Sequence, residues 1–203
     1  MSQFVRPPVQ DCLHASEASG DFACDTHSSL YKFVTSERTE FTMNCRELMV
    51  FEAVELPIIE RLEACGLLDE GDALRLKVAV QEAIVNGFEH GCLELQSEWK
   101  DEIHSDGVDR FSAVRRERLA DPDFARRCVT VCSWFDGERL EITVRDDGKG
   151  FLTGAPSREG APICSVSCSG RGLALMANAA DEVRFSRNGA EVILMKHLRR
   201  SGS

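Results

Sequence analysis

Two hairpin signals in the second half of the chain constrain its fold most. The paired runs are residues 129–135 and 139–147 around Asp136-Gly137, and residues 183–187 and 191–197 around Asn188-Gly189. Asp-Gly and Asn-Gly pairs favour the tight turns that join neighbouring antiparallel strands. The run that starts at Arg139 alternates apolar and polar residues, which is typical of a strand with one buried face. The sequence therefore predicts an antiparallel sheet.

Helical periodicity predicts helices before and between these strands. Asn44, followed three residues later by Glu47, predicts the start of a helix of about 20 residues, which Pro57 kinks or breaks. Apolar residues at helical spacing predict two more helices, at residues 72–90 and 172–180. This combination predicts an α+β fold, a two-layer α/β sandwich in which the helices cover one face of a mostly antiparallel sheet.

The composition along the 203 residues suggests one domain with tails. We predict a flexible leader at residues 1–29, a domain at 30–198 and a tail at 199–203, with a charged helical insertion at 94–127 and a loop at 152–169. Short β-rich runs at residues 30–34 and 40–43 predict a strand pair. The insertion is interpreted as a solvated helical excursion with flexible ends, and a partner-binding surface is the alternative.

Charge and hydropathy exclude several functional classes. The formal charge of −10 opposes direct binding to nucleic acid or to an anionic membrane. No apolar stretch approaches the roughly 18 residues of a membrane span, and the N-terminus lacks a signal-peptide pattern. We therefore expect a cytoplasmic protein.

Nine cysteines are expected to be reduced thiols in that compartment. Cys128 and Cys132 fall in one predicted strand, where a rise of about 3.3 Å per residue separates their sulfurs by roughly 13 Å. That separation is too large for a shared zinc ion. Cys164 and Cys168 lie in the loop at 152–169, where redox sensing and metal binding are alternatives to a purely structural role.

Asp146 provides the first chemical signal. The period of two places its side chain on the apolar face of its strand, which turns toward the helices. Burial of an unpaired carboxylate is costly, so a protein donor or a ligand with N–H groups must satisfy it. Directly after it, Gly148 and Gly150 permit close backbone approach to a flat or anionic group. Ordinary turns produce the same Asp-x-Gly-x-Gly pattern.

A second glycine motif, Ser169-Gly170-Arg171-Gly172-Leu173, opens the last predicted helix. Free N–H groups and the positive end of the helix dipole favour phosphate at such a position, and a helix start after a flexible loop is the alternative. The P-loop pattern Gly-x-x-x-x-Gly-Lys-Ser/Thr and the Rossmann glycine fingerprint do not occur in the sequence.

A polar stripe on the helix predicted at residues 72–90 adds candidate ligands. Glu82, Asn86 and His90 recur every four residues and so share one helical face. The amide oxygen of Asn86 is a hard ligand suited to magnesium, and the Glu82 carboxylate is able to accept a proton. Polar positions on an ordinary amphipathic helix are the alternative. His90 is interpreted as a hydrogen-bonded histidine at the helix end.

The order of these motifs resembles that of the GHKL ATPases, which have the Bergerat fold. The segment from Glu82 to Gly91 is similar to their N box, and the motifs at residues 144–151 and 169–173 are similar to their two glycine boxes. The resemblance covers about residues 30–198. Within this superfamily the chain looks most like the anti-sigma-factor serine kinases, small HATPase domains that bind ATP and phosphorylate a STAS-domain antagonist.

The resemblance implies a role for each motif residue. It implies that Asn86 holds Mg²⁺, that Asp146 bonds the adenine amino group and that Glu82 is the catalytic base. The implied ATP contacts further include Gly148, Gly150, Gly170, Arg171, Gly172 and Leu173. The loop at 152–169 corresponds to the ATP lid. In that loop Cys168 stands where some members have a basic residue, a departure that concerns phosphoryl transfer more than nucleotide binding.

The resemblance therefore suggests an ATP- and Mg²⁺-dependent serine/threonine protein kinase in signal transduction, with a STAS-domain anti-anti-sigma protein as substrate. A sigma factor is a further expected partner, and a homodimer is the suggested assembly. The alternative is a nucleotide-dependent module that sequesters a sigma factor or another regulator without phosphoryl transfer. A detached histidine-kinase domain is a third hypothesis, but none of the five histidines has the sequence context of a phosphoacceptor.

Overall fold

The sheet predicted from the hairpin signals is present and has five strands. The computed structural model describes residues 39–49, 56–105, 107–150 and 171–198. Its strands are β1 (Thr39–Asn44), β2 (Cys128–Phe135), β3 (Arg139–Asp146), β4 (Glu182–Ser186) and β5 (Glu191–His197). They pair antiparallel in the order β1-β2-β3-β5-β4. The predicted leader, tail, first strand at 30–34 and loop at 152–169 lie outside the described residues.

Both predicted hairpin turns are confirmed. Gly137 has φ +100° and Asn188 has φ +58°, so each turn contains left-handed backbone that glycine or asparagine adopts at low cost. The Asp136 carboxylate accepts the backbone N–H of Arg139 at 2.8 Å, which closes the first turn. These contacts fix the register of β2 on β3, in which Val129 lies opposite Asp146.

Helices surround this sheet in the described residues. They are α1 (Cys45–Met49), α2 (Pro57–Ala64), α3 (Glu70–Asn86), α4 (Arg110–Ala120), α5 (Pro122–Ala125) and α6 (Arg171–Ala179). A π-helix, Gly87–Cys92, continues α3 directly, and short 3₁₀ helices span Ser97–Lys100 and Arg187–Gly189. The helix predicted at residues 72–90 is therefore an α-helix followed by a π-helix.

The hydrophobic core lies on one face of the sheet. Its strand residues are Val129, Val131, Phe135, Leu140, Ile142, Val144, Val183, Phe185, Val192 and Leu194. Pairing of Val144 with both Val131 and Val192 places these side chains on the same face. Residues of all the larger helices, among them Leu62, Leu76 and Met176, belong to the same cluster. The predicted α+β architecture is confirmed.

Helix starts agree with capping rules and correct two predicted boundaries. The Asn44 side chain accepts the N–H of Glu47, whose carboxylate accepts the Asn44 N–H at 2.8 Å, so the predicted reciprocal cap is confirmed. Pro57 is the first residue of α2, so it starts a new helix instead of kinking an old one. The cap of α3 is Asp69, which accepts the Asp72 N–H at 2.7 Å and moves the helix start earlier than predicted.

The insertion at residues 94–127 packs on the domain. Its helix predicted near residues 111–119 is α4, and its Trp99 and Phe111 are buried in the core cluster. Leu95 and Ala125, near its two ends, are also buried, so the flexible ends expected from the sequence are wrong for this segment. Among the described helices, none combines the length and apolar character of a membrane span.

Candidate functional site

Asp146 ends β3 with its carboxylate in the core-facing row, as the strand period predicts. Its side chain is 9% exposed. Oδ1 accepts the backbone N–H of Gly148 at 2.8 Å, and among the described residues no other hydrogen bond or ion pair reaches the carboxylate. Burial raises the pKa of Asp146 to about 6, and the Gly148 hydrogen bond opposes that rise. One carboxylate oxygen therefore still lacks a donor in the described part of the chain.

Glycines let the main chain approach this carboxylate from two sides. A Cβ at Gly91 would lie within 2.7 Å of both carboxylate oxygens. A Cβ at Gly148 would lie 2.6 Å from Asp146 Oδ1 and 2.5 Å from the carbonyl carbon of Gly91. Real Cβ atoms do not tolerate such distances, so any side chain at either position would displace the backbone around Asp146. The two glycines thus form a cradle for the carboxylate.

Gly150 is required for a different contact. It has φ +79°, and a Cβ there would lie 2.8 Å from the carbonyl carbon of Asn188. The glycine loop at residues 148–150 therefore packs on the turn between β4 and β5. The sequence implied that Gly150 shapes a base pocket, and the structure places it against this turn.

The π-helix brings both of its glycines to Asp146. A Cβ at Gly87 would lie 3.4 Å from the Cβ of Asp146, which is ordinary close packing. His90 Nδ1 donates to the Leu95 carbonyl at 2.7 Å, so the prediction of a hydrogen-bonded helix-end histidine is confirmed. π-Helical turns occur frequently at functional sites. This one converts the end of α3 into a wall of the Asp146 cradle.

The polar stripe on α3 meets the start of α6. A Cβ at Gly172 would lie 3.0 Å from Glu82 Oε2 and 3.0 Å from Asn86 Nδ2. The structure therefore brings together three residues that the sequence assigned to different motifs. Leu173 packs against the core cluster, which gives it a structural role. Arg171 is the first residue of α6, and Gly170 lies outside the described residues.

The donor set fits an adenine nucleotide with Mg²⁺. A carboxylate oxygen without a described donor, beside glycine backbone, suits the exocyclic amine of a purine. Mg²⁺ prefers oxygen ligands and usually takes one or two protein side chains together with phosphate oxygens, and Asn86 and Glu82 offer such oxygens beside the first turn of α6. Within the described ranges, no group of three or more His, Cys, Asp or Glu side chains is arranged to hold a metal ion.

Thiols in the described ranges are free, as expected. They are Cys45, Cys65, Cys92, Cys128 and Cys132. Cys45 and Cys92 are fully buried, and a hydrogen bond from Cys92 holds the pKa of Cys45 below its usual value. The pair Cys164 and Cys168 lies outside the described residues, so the alternatives for it stay predictions.

Sequence reasoning missed the contacts that tie the insertion to this site. Arg127 donates to Glu94 Oε1 at 2.9 Å and to the Cys92 carbonyl at 2.8 Å. The Glu89 carboxylate lies 3.7 Å from Lys100 and 3.9 Å from Arg115. Most of these partners are more than ten residues apart along the chain. No local spacing rule identifies such pairs.

Comparison with known proteins gives one match. A family model described as the histidine kinase-like ATPase domain matches residues 56–196, which is more than half of the chain. The match spans α2 to β5 and so includes Glu82, Asn86, Asp146 and Gly172. No curated protein matches the chain significantly.

Proposed function

Because the chain belongs to the histidine kinase-like ATPase domain family, we propose that it is an ATP-dependent regulatory protein kinase that phosphorylates a serine or threonine of a partner protein. Domains of this family bind ATP, usually with Mg²⁺. The observation that carries the proposal is the meeting of Glu82 and Asn86 with Gly172 at the start of α6. This arrangement places a proton acceptor, a hard oxygen ligand and a helix N-terminus side by side.

Asp146 recognises the base in this proposal. Its carboxylate accepts a hydrogen bond from the exocyclic amine of adenine, which satisfies the oxygen that Gly148 does not reach. Guanine carries a carbonyl oxygen at that position and would repel the carboxylate. The cradle of Gly91 and Gly148 excludes side chains that would fill the space beside Asp146. Selectivity for adenine therefore follows from one acidic group.

Asn86 and α6 hold the phosphate end of the nucleotide. The first N–H groups of α6 have no partner within the helix and favour negative charge. The amide oxygen of Asn86 is the protein ligand for Mg²⁺, which neutralises phosphate charge when it is bound. Gly172 keeps the helix start close to Asn86, because a larger residue would press on its side chain.

Glu82 accepts the proton of the attacking hydroxyl. The serine or threonine oxygen bonds to the γ-phosphorus while the bond from that phosphorus to the bridging oxygen breaks, and ADP leaves. The proton of the hydroxyl passes to Glu82. Positioning and charge neutralisation supply most of the acceleration in such transfers.

The substrate and partners are proposed from the resemblance to anti-sigma-factor kinases. We propose a STAS-domain anti-anti-sigma protein as phosphoacceptor and a sigma factor as the sequestered partner, with the kinase acting as a homodimer. Partner exchange would then follow phosphorylation of the STAS protein. The order of the three motifs on residues 82–173 supports this choice.

The test uses γ-labelled ATP and a STAS protein purified together with this chain. We expect label on a serine or threonine of the partner with the wild type and its loss with Glu82→Gln, while affinity for ADP changes by less than about threefold. Label that stays on the nucleotide although the complex forms would replace transfer with nucleotide-dependent sequestration. Transfer at an undiminished rate by Glu82→Gln would remove Glu82 from catalysis.

A further inference from the structure

The carboxylate of Glu94 joins three chain segments beside Asp146. Oε1 accepts a hydrogen bond from Arg127 Nη1 at 2.9 Å. The ammonium group of Lys149 lies 3.4 Å from both carboxylate oxygens. Glu94 follows the π-helix, Arg127 precedes β2, and Lys149 is the middle residue of the glycine loop. One side chain thus connects the end of the helical wall with the loop that carries Gly148.

The backbone around Glu94 is held in an uncommon conformation. Glu94 has φ +49°, which is rare for a residue with a long side chain. Neighbouring hydrogen bonds hold it there: the Leu95 N–H reaches the Glu89 carbonyl at 2.8 Å, and Arg118 donates to the Leu93 carbonyl. Such strain persists where the surrounding structure fixes it and is concentrated at functional sites. It directs the Glu94 side chain toward the glycine loop.

The two cations stabilise Glu94 in its charged form. Burial opposes ionisation, but hydrogen bonds from Arg127 and Lys149 hold the pKa of Glu94 below its usual range. The side chains of Glu94 and Arg127 are 25% and 21% exposed, whereas that of Lys149 is 81% exposed. An exposed ion pair such as Glu94–Lys149 adds little to global stability. Its effect is local, on the loop that contains Lys149.

The glycine loop needs a restraint from outside. Glycine loses more conformational freedom on ordering than any other residue, and Lys149 has a glycine on each side. Two groups must stay in place for Asp146 to be aimed correctly: the Gly148 N–H on Oδ1 and the Gly91 carbonyl against Gly148. The Lys149 contact to Glu94 fixes the loop from the side opposite the turn of Asn188.

We propose that Glu94 is a positioning residue for nucleotide binding. By holding Lys149 and Arg127 together, it keeps the glycine loop against the Gly91 turn so that the Asp146 carboxylate stays oriented toward the base. The inference rests on the proposed function only in that the pocket takes an adenine nucleotide. It also explains why the insertion docks here, since Glu94 and Arg127 are its first and last residues.

The experiment measures ADP binding by calorimetry and the thermal midpoint of each variant. Lys149→Met removes one cation from the exposed end of the contact, and Glu94→Gln removes the shared charge. Glu98→Gln is the matched control, because it makes the same charge change at an exposed position of the same insertion. Lys149→Met decides the test even if Glu94→Gln fails to fold.

We expect the ADP Kd to rise three- to tenfold in both variants, with Lys149→Met keeping the wild-type thermal midpoint. The double variant should be no worse than Glu94→Gln alone, because Lys149 acts through Glu94. In phosphoryl transfer, KM for ATP should rise in the Lys149 variant while kcat stays within twofold. A merely structural defect would lower kcat by reducing the active fraction, and it would leave KM unchanged.

Two results would overturn the inference. One is an ADP Kd in both variants equal to that of Glu98→Gln. The other is full additivity in the double variant, which would mean that Lys149 contacts the nucleotide independently of Glu94. Failure of the wild type to bind ADP would refute the proposed function and this inference with it, whereas transfer failure with normal ADP binding would refute the kinase proposal alone.

Discussion

Replacing Asp146 by asparagine tests whether its buried carboxylate is retained for a ligand at the expense of stability. Burial raises the pKa of Asp146 from 3.8 to about 6. At 1.36 kcal/mol per pKa unit, ionisation of this group in the folded protein costs about 3 kcal/mol. Asparagine has nearly the same shape, and its carbonyl oxygen is able to keep the hydrogen bond from Gly148. The Asp146→Asn protein therefore lacks the ionisation cost.

The sign of the pH effect follows from the two pKa values. The pKa of Asp146 is higher in the folded state than in the unfolded state, so the contribution to stability is fully present below about pH 4 and is lost as pH rises through about 6. The variant suffers no such loss. Its free energy of unfolding, relative to the wild type, should increase by about 2 to 3 kcal/mol between pH 4 and pH 8.

Urea denaturation of both proteins across this pH range measures the stability difference, and calorimetric titration with ADP at pH 8 measures function. We expect the variant to be the more stable protein at pH 8 and yet to bind ADP at least tenfold more weakly, because it has lost a charged acceptor for the adenine amine. Parallel curves of stability against pH would contradict the burial argument. An unchanged ADP affinity would remove Asp146 from base recognition.

Three further outcomes are expected. Gly91→Ala puts a Cβ within 2.7 Å of both Asp146 oxygens, so ADP affinity should fall at least tenfold and stability by about 1–3 kcal/mol, whereas Gly71→Ala, whose Cβ stays 3.2 Å or more from its neighbours, should keep both; equal behaviour of the two variants would refute the cradle. Glu82→Gln should slow transfer to the partner at least 100-fold with ADP binding retained, as measured by label transfer and calorimetry. Asn44→Ala removes the cap of α1 and should cost about 1 kcal/mol in urea denaturation without a change in ADP affinity; a larger loss of affinity would link this cap to the site.

Local rules were sufficient for the sheet and for the central carboxylate. Asp-Gly and Asn-Gly turns predict the hairpins because their left-handed backbone conformations are chemically specific. The alternation along β3 predicts the burial of Asp146, because the period of two leaves no other face for it. The four-residue spacing of Glu82 and Asn86 predicts their shared stripe, and Gly172 lies beside both. These features depend on neighbours within one turn or one strand.

Long-range contacts were beyond the reach of sequence patterns. Glu94 pairs with Arg127 and Lys149, which are 33 and 55 residues further along the chain. The burial of Trp99 depends on how the insertion folds back, and its dense charges suggested a solvated segment instead. The change from α- to π-helix after Asn86 also escaped prediction, since it arises from packing against Asp146 and leaves no distinctive composition.

The π-helix has a mechanical consequence for everything that follows it. A regular α-helix advances by about 100° per residue, so the wider turn at Gly87–Cys92 sets the direction in which the chain leaves α3. Removal of one residue within it would restore regular winding and swing the departing chain by roughly that angle. The insertion would then face away from the glycine loop. A single surplus residue thus acts as the hinge setting that aligns two halves of the molecule.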